Sequence, residues 1–218
     1  IFWINRHNCK LYRFDRINER SEEMTRLTGC GSGRHPFGRM ILAAGRLWIV
    51  DRNRSRVIGL RTDTFQIITE IESSAPIDIA WGSDRLFVLD SAGISSYDVN
   101  GTVVTPPKHE HLCRPYALGA DPQDQWVYVI DGATKGFSRF EIDGSFHDEI
   151  GRFSDVAPDF APRLLAVSSG GNLFASDRSM LAHQFSPDGG YIGDTGDMSP
   201  LPQILATTFS PAGDLYLR

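Results

Sequence analysis

Proline recurs along this chain at a nearly constant interval. Five prolines each open a short apolar run, and consecutive ones lie 40, 39, 47 and 40 residues apart. They are Pro36, Pro76, Pro115, Pro162 and Pro202. Each apolar run is followed by a turn containing Gly, Asp or Pro and then by a second apolar run. A fixed period of this length is typical of a repeat protein, so the repeat decides the fold prediction.

One copy of the repeat predicts four strands. Residues 36–42 form an apolar run opened by a proline, which suits a strand start because proline cannot donate to the ladder. Residues 46–50 are almost entirely apolar and predict a strand buried on both faces. Residues 56–60 and 65–71 supply a third and a fourth strand. Four short strands in roughly 40 residues are typical of one propeller blade.

The repeat predicts an all-β fold, a single β-propeller domain of four-stranded antiparallel blades. The expected divisions are a partial blade, four full blades and a second partial blade, at residues 1–35, 36–75, 76–114, 115–161, 162–201 and 202–218. A six-bladed ring, incomplete at both ends of this segment, is the simplest interpretation. A five-bladed ring closed by residues 204–209 is the alternative, and it leaves residues 215–217 as a spare strand. Open strand edges invite pairing, so we expect flanking sequence or a partner to cover them.

An acidic or amide residue ends the second strand of nearly every copy. These residues are Asn5, Asp51, Asp90, Asp131 and Asp177. They could form a ring of anionic ligands. A carboxylate at a strand end more often accepts hydrogen bonds from the backbone of its own turn. Because the residue recurs in nearly every blade, we interpret it as a structural turn residue.

Composition narrows the function classes. The net charge of −5 argues against a general nucleic-acid binder. No run of about 18 apolar residues is present, so we expect no membrane span. The chain does not begin with Met, which suggests a segment of a longer protein, and its localisation stays open. Three cysteines cannot all pair within one chain, so a Cys9–Cys30 bridge beside a free Cys113 competes with three free thiols.

Histidine and cysteine gather in segments predicted on one rim. They lie in the turn at residues 6–9 and in the linkers at residues 28–35 and 109–113. His109, His111 and Cys113 alternate along one linker and are the best metal candidates, since imidazole and thiolate suit zinc. A second pair of ligands is missing from the sequence. A solvated linker with a buried thiol therefore remains the favoured interpretation, and we predict neither a metal nor another cofactor.

The best copy of the repeat, residues 36–57, carries Asp51, Asn53 and Arg56 after an apolar-aromatic-apolar strand. This pattern resembles the NHL repeat. The resemblance covers almost the whole chain, although other copies are degenerate. It implies a propeller, a fold that hosts lyases, lactonases and interaction modules alike.

A second resemblance supplies the leading functional expectation. The Cys- and Gly-rich linker at residues 28–33, followed by residues 45–57, resembles the propellers of tail proteins in phage-tail-like contractile injection systems. It implies a non-enzymatic assembly module without catalytic residues. Its partners would be other protein subunits of a large particle.

Two alternatives stay open. The first is a metal-dependent lyase or lactonase of the NHL type, with Asp78, Arg39 and Arg163 near the starts of first strands as its charged residues. The second is a ligand or glycan receptor. Its stacking aromatics would be Trp81, Tyr116 and Trp126, two of which flank hairpins at the opposite rim or in the core.

Overall fold

The structure is a computed structural model, and the residues that it describes form strands and two short 3-10 segments. It describes residues 2–5, 8–15, 17–27, 36–123, 125–177 and 182–195, and the strands at 207–209 and 215–217. The chain divides into two compact units, residues 1–76 and 77–218. Within the described residues, no helix is long and apolar enough to cross a membrane.

The first unit contains two antiparallel sheets. Blade I has three strands, β1 (Phe2–Ile4), β2 (Lys10–Asp15) and β3 (Arg20–Arg26). Blade II has four strands, β4 (Phe37–Ala43), β5 (Arg46–Asp51), β6 (Arg56–Arg61) and β7 (Ile67–Glu72). Leu11, Leu47, Ile49 and Leu60 form the centre of this unit's core, and each is at most 1% exposed. The apolar alternation of β2, β5 and β6 therefore meets in one cluster.

The second unit contains three four-stranded sheets and a two-stranded one. Blade III comprises β8 (Asp78–Gly82), β9 (Arg85–Asp90), β10 (Gly93–Tyr97) and β11 (Val103–Lys108). Blade IV comprises β12 (Pro115–Ala120), β13 (Trp126–Asp131), β14 (Phe137–Glu141) and β15 (Phe146–Ile150). Blade V comprises β16 (Leu164–Val167), β17 (Leu173–Ser176), β18 (His183–Phe185) and β19 (Tyr191–Asp194). The remaining strands, β20 (Thr207–Phe209) and β21 (Leu215–Leu217), pair with each other.

Every sheet is an antiparallel meander in which each strand pairs with the next along the chain. This is the all-β propeller architecture of four-stranded blades that the proline period predicts. The blade number is different, because the described residues form five blades and not six. Where a sixth blade was expected, only β20 and β21 pair, as a two-stranded sheet beside β16.

Small residues let the first strands of the second unit lie side by side. β12 lies between β8 and β16, and β16 lies next to β20. A methyl group added at Gly119 of β12 would lie 2.7 Å from the side chain of Val167 in β16. One added at Gly82 would lie 2.9 Å from the Cβ atom of Ala120. The small residues therefore have a packing role at this close approach.

Two apolar clusters fill the second unit. One lies between blades III and IV and is centred on Phe87, Leu118 and Phe140. The other lies between blades IV and V, where Phe137, Phe153 and Phe185 meet edge to face. Phe153 and Phe160 come from the linker that joins the two blades, so this linker closes one end of the core. The candidate site lies at this end of the second unit, beside the linker.

Candidate functional site

An arginine–tyrosine–arginine cluster stands where two first strands of the second unit begin. The guanidinium carbon of Arg163 lies 4.3 Å from the ring centroid of Tyr116, and that of Arg114 lies 5.9 Å from it. Both distances are within the range of cation–π attraction. The two arginines are exposed and the tyrosine is half-buried, so the cluster offers two cations to solvent on a fixed aromatic support.

A buried carboxylate fixes the backbone at Arg114. Asp131 is 1% exposed and accepts hydrogen bonds from the amides of Cys113 and Arg114, at 2.7 and 2.9 Å. It also accepts one from the amide of Ala133 at 2.8 Å, two residues further along its own turn. The Arg114 side chain donates to the carbonyl oxygen of Gly132 at 3.1 Å. Asp131 thus ties the turn between β13 and β14 to the start of β12.

Glycine is required beside this cluster. A Cβ atom at position 132 would lie 2.7 Å from Nε of Arg114 and 2.7 Å from the ring of Tyr116. Contacts this short do not occur between real side chains, so any larger residue at Gly132 would displace the tyrosine or the arginine. The turn that contains Gly132 therefore helps to position Tyr116 and Arg114.

The charged residues expected at first-strand starts have different environments. Arg163 belongs to the cluster, and its amide donates to the carbonyl of Ser176 at 2.9 Å. Asp78 is 7% exposed, and its Oδ2 accepts the amide of Leu118 at 2.8 Å, so it links β8 to β12. Arg39 lies in β4 of the first unit. Arg163, just before β16, and Asp78, on β8, belong to one unit, and β12 lies between these two strands.

A histidine–aspartate–tyrosine network lies on blade V. Nδ1 of His183 is 2.6 Å from Oδ1 of Asp194, and the Tyr191 hydroxyl donates to the same oxygen at 2.5 Å. These hydrogen bonds, first that of Tyr191 and then that of His183, lower the pKa of Asp194. The Tyr191–Asp194 hydrogen bond raises the pKa of Tyr191 to about 12. The carboxylate therefore stays ionised and holds the imidazole in one orientation.

Strand register places this network relative to Arg163. Leu165, Ala175, His183 and Asp194 occupy one row across the four strands of blade V. Arg163 lies two residues before Leu165, so its Cα is about 12 Å from that of His183 by ordinary strand spacing. The Phe160 ring packs edge to face on His183 at 4.6 Å, which leaves 8% of the histidine exposed. Over this distance, the side chains of Arg163 and His183 can both reach one small molecule.

A serine is present in the next row, but it cannot complete a hydrolase triad. Ser176 is fully buried and follows Ala175, which pairs with His183. Successive side chains of a strand point to opposite faces, so Ser176 and His183 lie on opposite sides of the sheet. The imidazole therefore has no serine nucleophile there, and it suits a base that acts on water or on a carbon acid.

The metal candidates of the sequence are dispersed. The His111 ring stacks on Phe146 at 3.8 Å, His109 is exposed, and Cys113 is an exposed free thiol. Over the described residues, no group of three or more His, Cys, Asp or Glu side chains is placed to hold a metal ion. His7, Cys30 and His35 fall outside the described residues, as does the Gly-rich linker at 28–35. Cys9 is disulfide-bonded.

The recurring turn residues have individual partners. Asp90 accepts the amide of Ala92 at 2.7 Å, much as Asp131 accepts that of Ala133. Asp51 is fully buried, and its Oδ2 accepts from Nε of Arg56 at 3.1 Å. Asn5 follows β1, and its backbone amide donates to the backbone carbonyl of Lys10 at 2.9 Å. Asp177 is half-buried just after β17.

Sequence reasoning missed Arg114 and the His183 network. Arg114 stands directly before Pro115, and the repeat pattern indicates only that this proline opens a strand. His183 and Asp194 are 11 positions apart, and only the register of β18 with β19 places them opposite each other. Pairing the predicted third and fourth strands residue by residue could have found this contact.

No protein-family model matches the chain, and the search of curated proteins also found no match. Solved structures do match over nearly its whole length. A streptogramin B lyase structure aligns at a TM-score of 0.69 with 15% identity, covering 99% of this chain and 71% of that one. A catalytically inactive histidine-to-alanine variant of virginiamycin B lyase from Staphylococcus aureus, solved with quinupristin, aligns at 0.69 with 15% identity over 99% and 73%. A structure named as a putative gluconolactonase aligns at 0.71 with 17% identity over 97% and 78%.

These neighbours support the propeller and correct the functional expectation. The predicted resemblance to tail proteins of contractile injection systems finds no support among them. The expectation of a non-enzymatic structural component of such a particle is wrong, because the neighbours of this fold are lyases and a lactonase. Short motifs in a linker and one strand misled the sequence reasoning, since strand and turn patterns recur across propellers of unrelated function.

Proposed function

We propose that this chain is an enzyme that opens a carboxylic ester ring by adding water, a lactonase. The observation that carries the proposal is the pair of guanidiniums, Arg114 and Arg163, held against Tyr116 at the entry of the first strands. Solved neighbours that include a gluconolactonase support this choice among propeller functions.

The arginines would stabilise the negative charge of the reaction. A guanidinium that stacks on an aromatic ring through its face keeps its N–H edges available for hydrogen bonds. Two such edges can donate to the ester carbonyl oxygen, which becomes an oxyanion when water attacks the carbon. Because Asp131 and the Tyr116 ring fix this geometry beforehand, little reorganisation is needed as the charge develops.

His183 would supply the base. Its Nδ1 is held by the Asp194 carboxylate, which leaves Nε2 to accept a proton from the attacking water. The proton then passes to the alkoxide that leaves when the ring C–O bond breaks, giving a hydroxy acid. One ester and one water molecule thus give one carboxylic acid and one alcohol, so the atoms balance.

In the metal-dependent alternative implied by the NHL resemblance, a metal ion would polarise the ester. The described residues do not provide a matching set of ligands, since no three or more His, Cys, Asp or Glu side chains converge. Asp78, the carboxylate nearest to the first-strand starts, already accepts the Leu118 amide. We therefore assign no step to a metal ion.

The test is acid release from D-glucono-1,5-lactone, followed with a pH indicator and corrected for spontaneous opening. We expect turnover above background, and we expect Arg163→Ala to lower kcat/KM by roughly 10²-fold, as removal of an oxyanion donor does. Arg61→Ala, which removes an exposed arginine paired with Asp63 in the first unit, is the matched control. Turnover unaffected by Arg163→Ala would refute the assignment, as would no turnover of this or any other lactone tested.

Elimination is the second candidate. It is favoured by the lyase neighbours, one of which is catalytically inactive as a histidine-to-alanine variant. In that reaction His183 would remove a proton from the carbon next to a carbonyl, and the ester oxygen would leave with the electron pair. The two reactions differ in product, because hydrolysis in H₂¹⁸O incorporates one ¹⁸O atom into the acid and elimination gives an alkene without ¹⁸O.

A further inference from the structure

A cavity lies at the opposite end of β12 from Arg114. It has a volume of about 180 Å³ and opens between hairpins of blades IV and V. Its lining residues include Asp121, Gln123, Gln125, Trp126, Arg139 and Asp188. All of them belong to the second unit. Six residues of strand, about 17–20 Å, separate this end of β12 from the arginine cluster.

One wall of the cavity is rigid. The guanidinium carbon of Arg139 lies 4.4 Å from the ring centroid of Trp126. Arg139 is also bound to both oxygens of Asp148, at 2.8 and 2.7 Å, so its charge is neutralised and its side chain has one orientation. His147 packs against the same indole at 4.6 Å and is 3.1 Å from Glu141. The tryptophan is therefore held in place without any ligand.

A buried carboxylate faces the cavity with one oxygen unused. Asp121 is 7% exposed and lines the cavity, and its Oδ1 accepts the amide of Gln123 at 2.9 Å. Among the described residues, Oδ2 meets no hydrogen-bond donor. This oxygen is reached by solvent, so a hydroxyl group of a bound ligand can replace water as its hydrogen-bond donor. Gly171 lines the same cavity, and a Cβ at that position would lie 3.9 Å from Oδ1 of Asp121.

We propose that this cavity binds a single polyhydroxylated ring, a monosaccharide. Two carboxylates, Asp121 and Asp188, can accept hydrogen bonds from ring hydroxyls. The exposed amides of Gln123 and Gln125 can both donate and accept. The indole of Trp126 gives an apolar contact for the C–H groups of the ring.

Charge and size limit the class further. The two carboxylates repel anions, and Arg139 cannot compensate for them because Asp148 already neutralises it. Drug-sized ligands occupy pockets of roughly 300–1,000 Å³, so this cavity takes one ring and no larger molecule. Few atoms and an open mouth limit the affinity, and we expect a Kd in the range of about 1–10 mM.

Saturation-transfer difference NMR with D-glucose, D-galactose and D-mannose tests the proposal. We expect at least one of these sugars to receive saturation from the protein and to titrate with a millimolar Kd. The double variant Gln123→Ala/Gln125→Ala should weaken that Kd at least tenfold. Its side chains are exposed, so folding should be unaffected, and circular dichroism checks this. Gln66→Ala, an exposed glutamine of the first unit, is the matched control and should leave the Kd unchanged.

Three results would overturn the monosaccharide site. One is the absence of saturation transfer to all three sugars. Another is an unchanged Kd in the folded double variant. The third is binding of tetramethylammonium in place of sugar, which would make the carboxylates a cation site. Lactone turnover is measured in the same variants and should not change, because this cavity and the arginine cluster lie at opposite ends of β12. If either lactone turnover or sugar binding is absent, the other can therefore still be tested on its own.

Discussion

The guanidinium of Arg163 lies over the ring of Tyr116, with 4.3 Å between the guanidinium carbon and the ring centroid. The two residues begin neighbouring first strands, so the contact joins blade V to blade IV at the site. Arg114 approaches the same ring from the residue before β12. One tyrosine thus orients two cations, and its ring matters for this more than its hydroxyl.

The first prediction separates the ring of Tyr116 from its hydroxyl. Tyr116→Phe keeps the aromatic face and should leave kcat/KM for the lactone within about twofold of wild type. Tyr116→Leu removes the cation–π support, worth about 0.5–1 kcal/mol for each exposed pair, and should lower kcat/KM several-fold. Steady-state kinetics of both variants measure this. Equal kcat/KM values for the two variants would show that stacking does not orient the arginines.

The second prediction concerns the partner of His183. Asp194→Asn keeps the shape of the side chain but removes the charge that holds Nδ1, so the imidazole loses its fixed orientation. We expect kcat to fall at least tenfold while KM changes little, since general-base catalysis contributes about 10²–10⁴-fold. His183→Gln should lower kcat further.

Its control lies on blade IV. Asp148→Asn disrupts a carboxylate paired with Arg139, away from the arginine cluster, and should leave kcat unchanged. If Asp194→Asn and Asp148→Asn have the same kcat, the histidine network has no role in turnover.

The third prediction is a pH dependence of Tyr191. Its pKa is raised to about 12 by the hydrogen bond to Asp194, above the ordinary value of 10.0. A group with a raised pKa stabilises the folded state fully below the unfolded pKa. This contribution is lost between pH 10 and pH 12 as the folded protein keeps the proton that the unfolded chain releases. Absorbance at about 295 nm follows tyrosinate, and Tyr191→Phe should remove one late-titrating group.

Tyr128 serves as the internal reference in that titration. Burial, with a smaller contribution from Asp121, raises the pKa of Tyr128 to about 12 as well. Its late titration should persist in Tyr191→Phe. A wild-type curve in which every tyrosine titrates near pH 10 would contradict both hydrogen bonding at Tyr191 and burial at Tyr128.

The proline period predicted strands well because each blade repeats one local pattern. Pro115 opens β12, and the aromatic Tyr128 lies at the fully buried centre of β13, as the alternation indicates. Blade number was less accessible, since it depends on how many strands pair beyond Asp194, the end of blade V, and not on any one repeat. The six-bladed count includes a partial last blade at residues 202–218, and there β20 and β21 pair as a two-stranded sheet.

Only the site residues that depart from the repeated pattern could be predicted from the sequence. The sequence indicates Arg163 as a charged residue near a first-strand start and Tyr116 as a stacking aromatic, and the structure brings them together. The function was mispredicted because short turn and linker motifs specify backbone geometry, which lyases, lactonases and assembly modules share. His183 and Asp194 meet through strand register, a relationship that no contiguous motif contains.

The fourth prediction tests the close approach of the first strands. A methyl group at Gly119 would lie 2.7 Å from Val167 and 3.2 Å from Leu165, both on β16. Gly119→Ala should therefore destabilise the protein by about 1–3 kcal/mol, the usual cost of inserting a methyl group into a packed core. Urea unfolding followed by tryptophan fluorescence measures the change.

The matched control for Gly119→Ala is Gly170→Ala in the hairpin between β16 and β17. A methyl group there would meet nothing nearer than the Ser168 hydroxyl, at 4.0 Å. We expect its free energy of unfolding to stay within about 0.5 kcal/mol of wild type, or to rise slightly because alanine restricts the unfolded chain. If both variants unfold at the same urea concentration as wild type, β12 and β16 do not approach as closely as the structure has them. The position of Arg163 over Tyr116 would then be in doubt as well, because the same two strands carry both contacts.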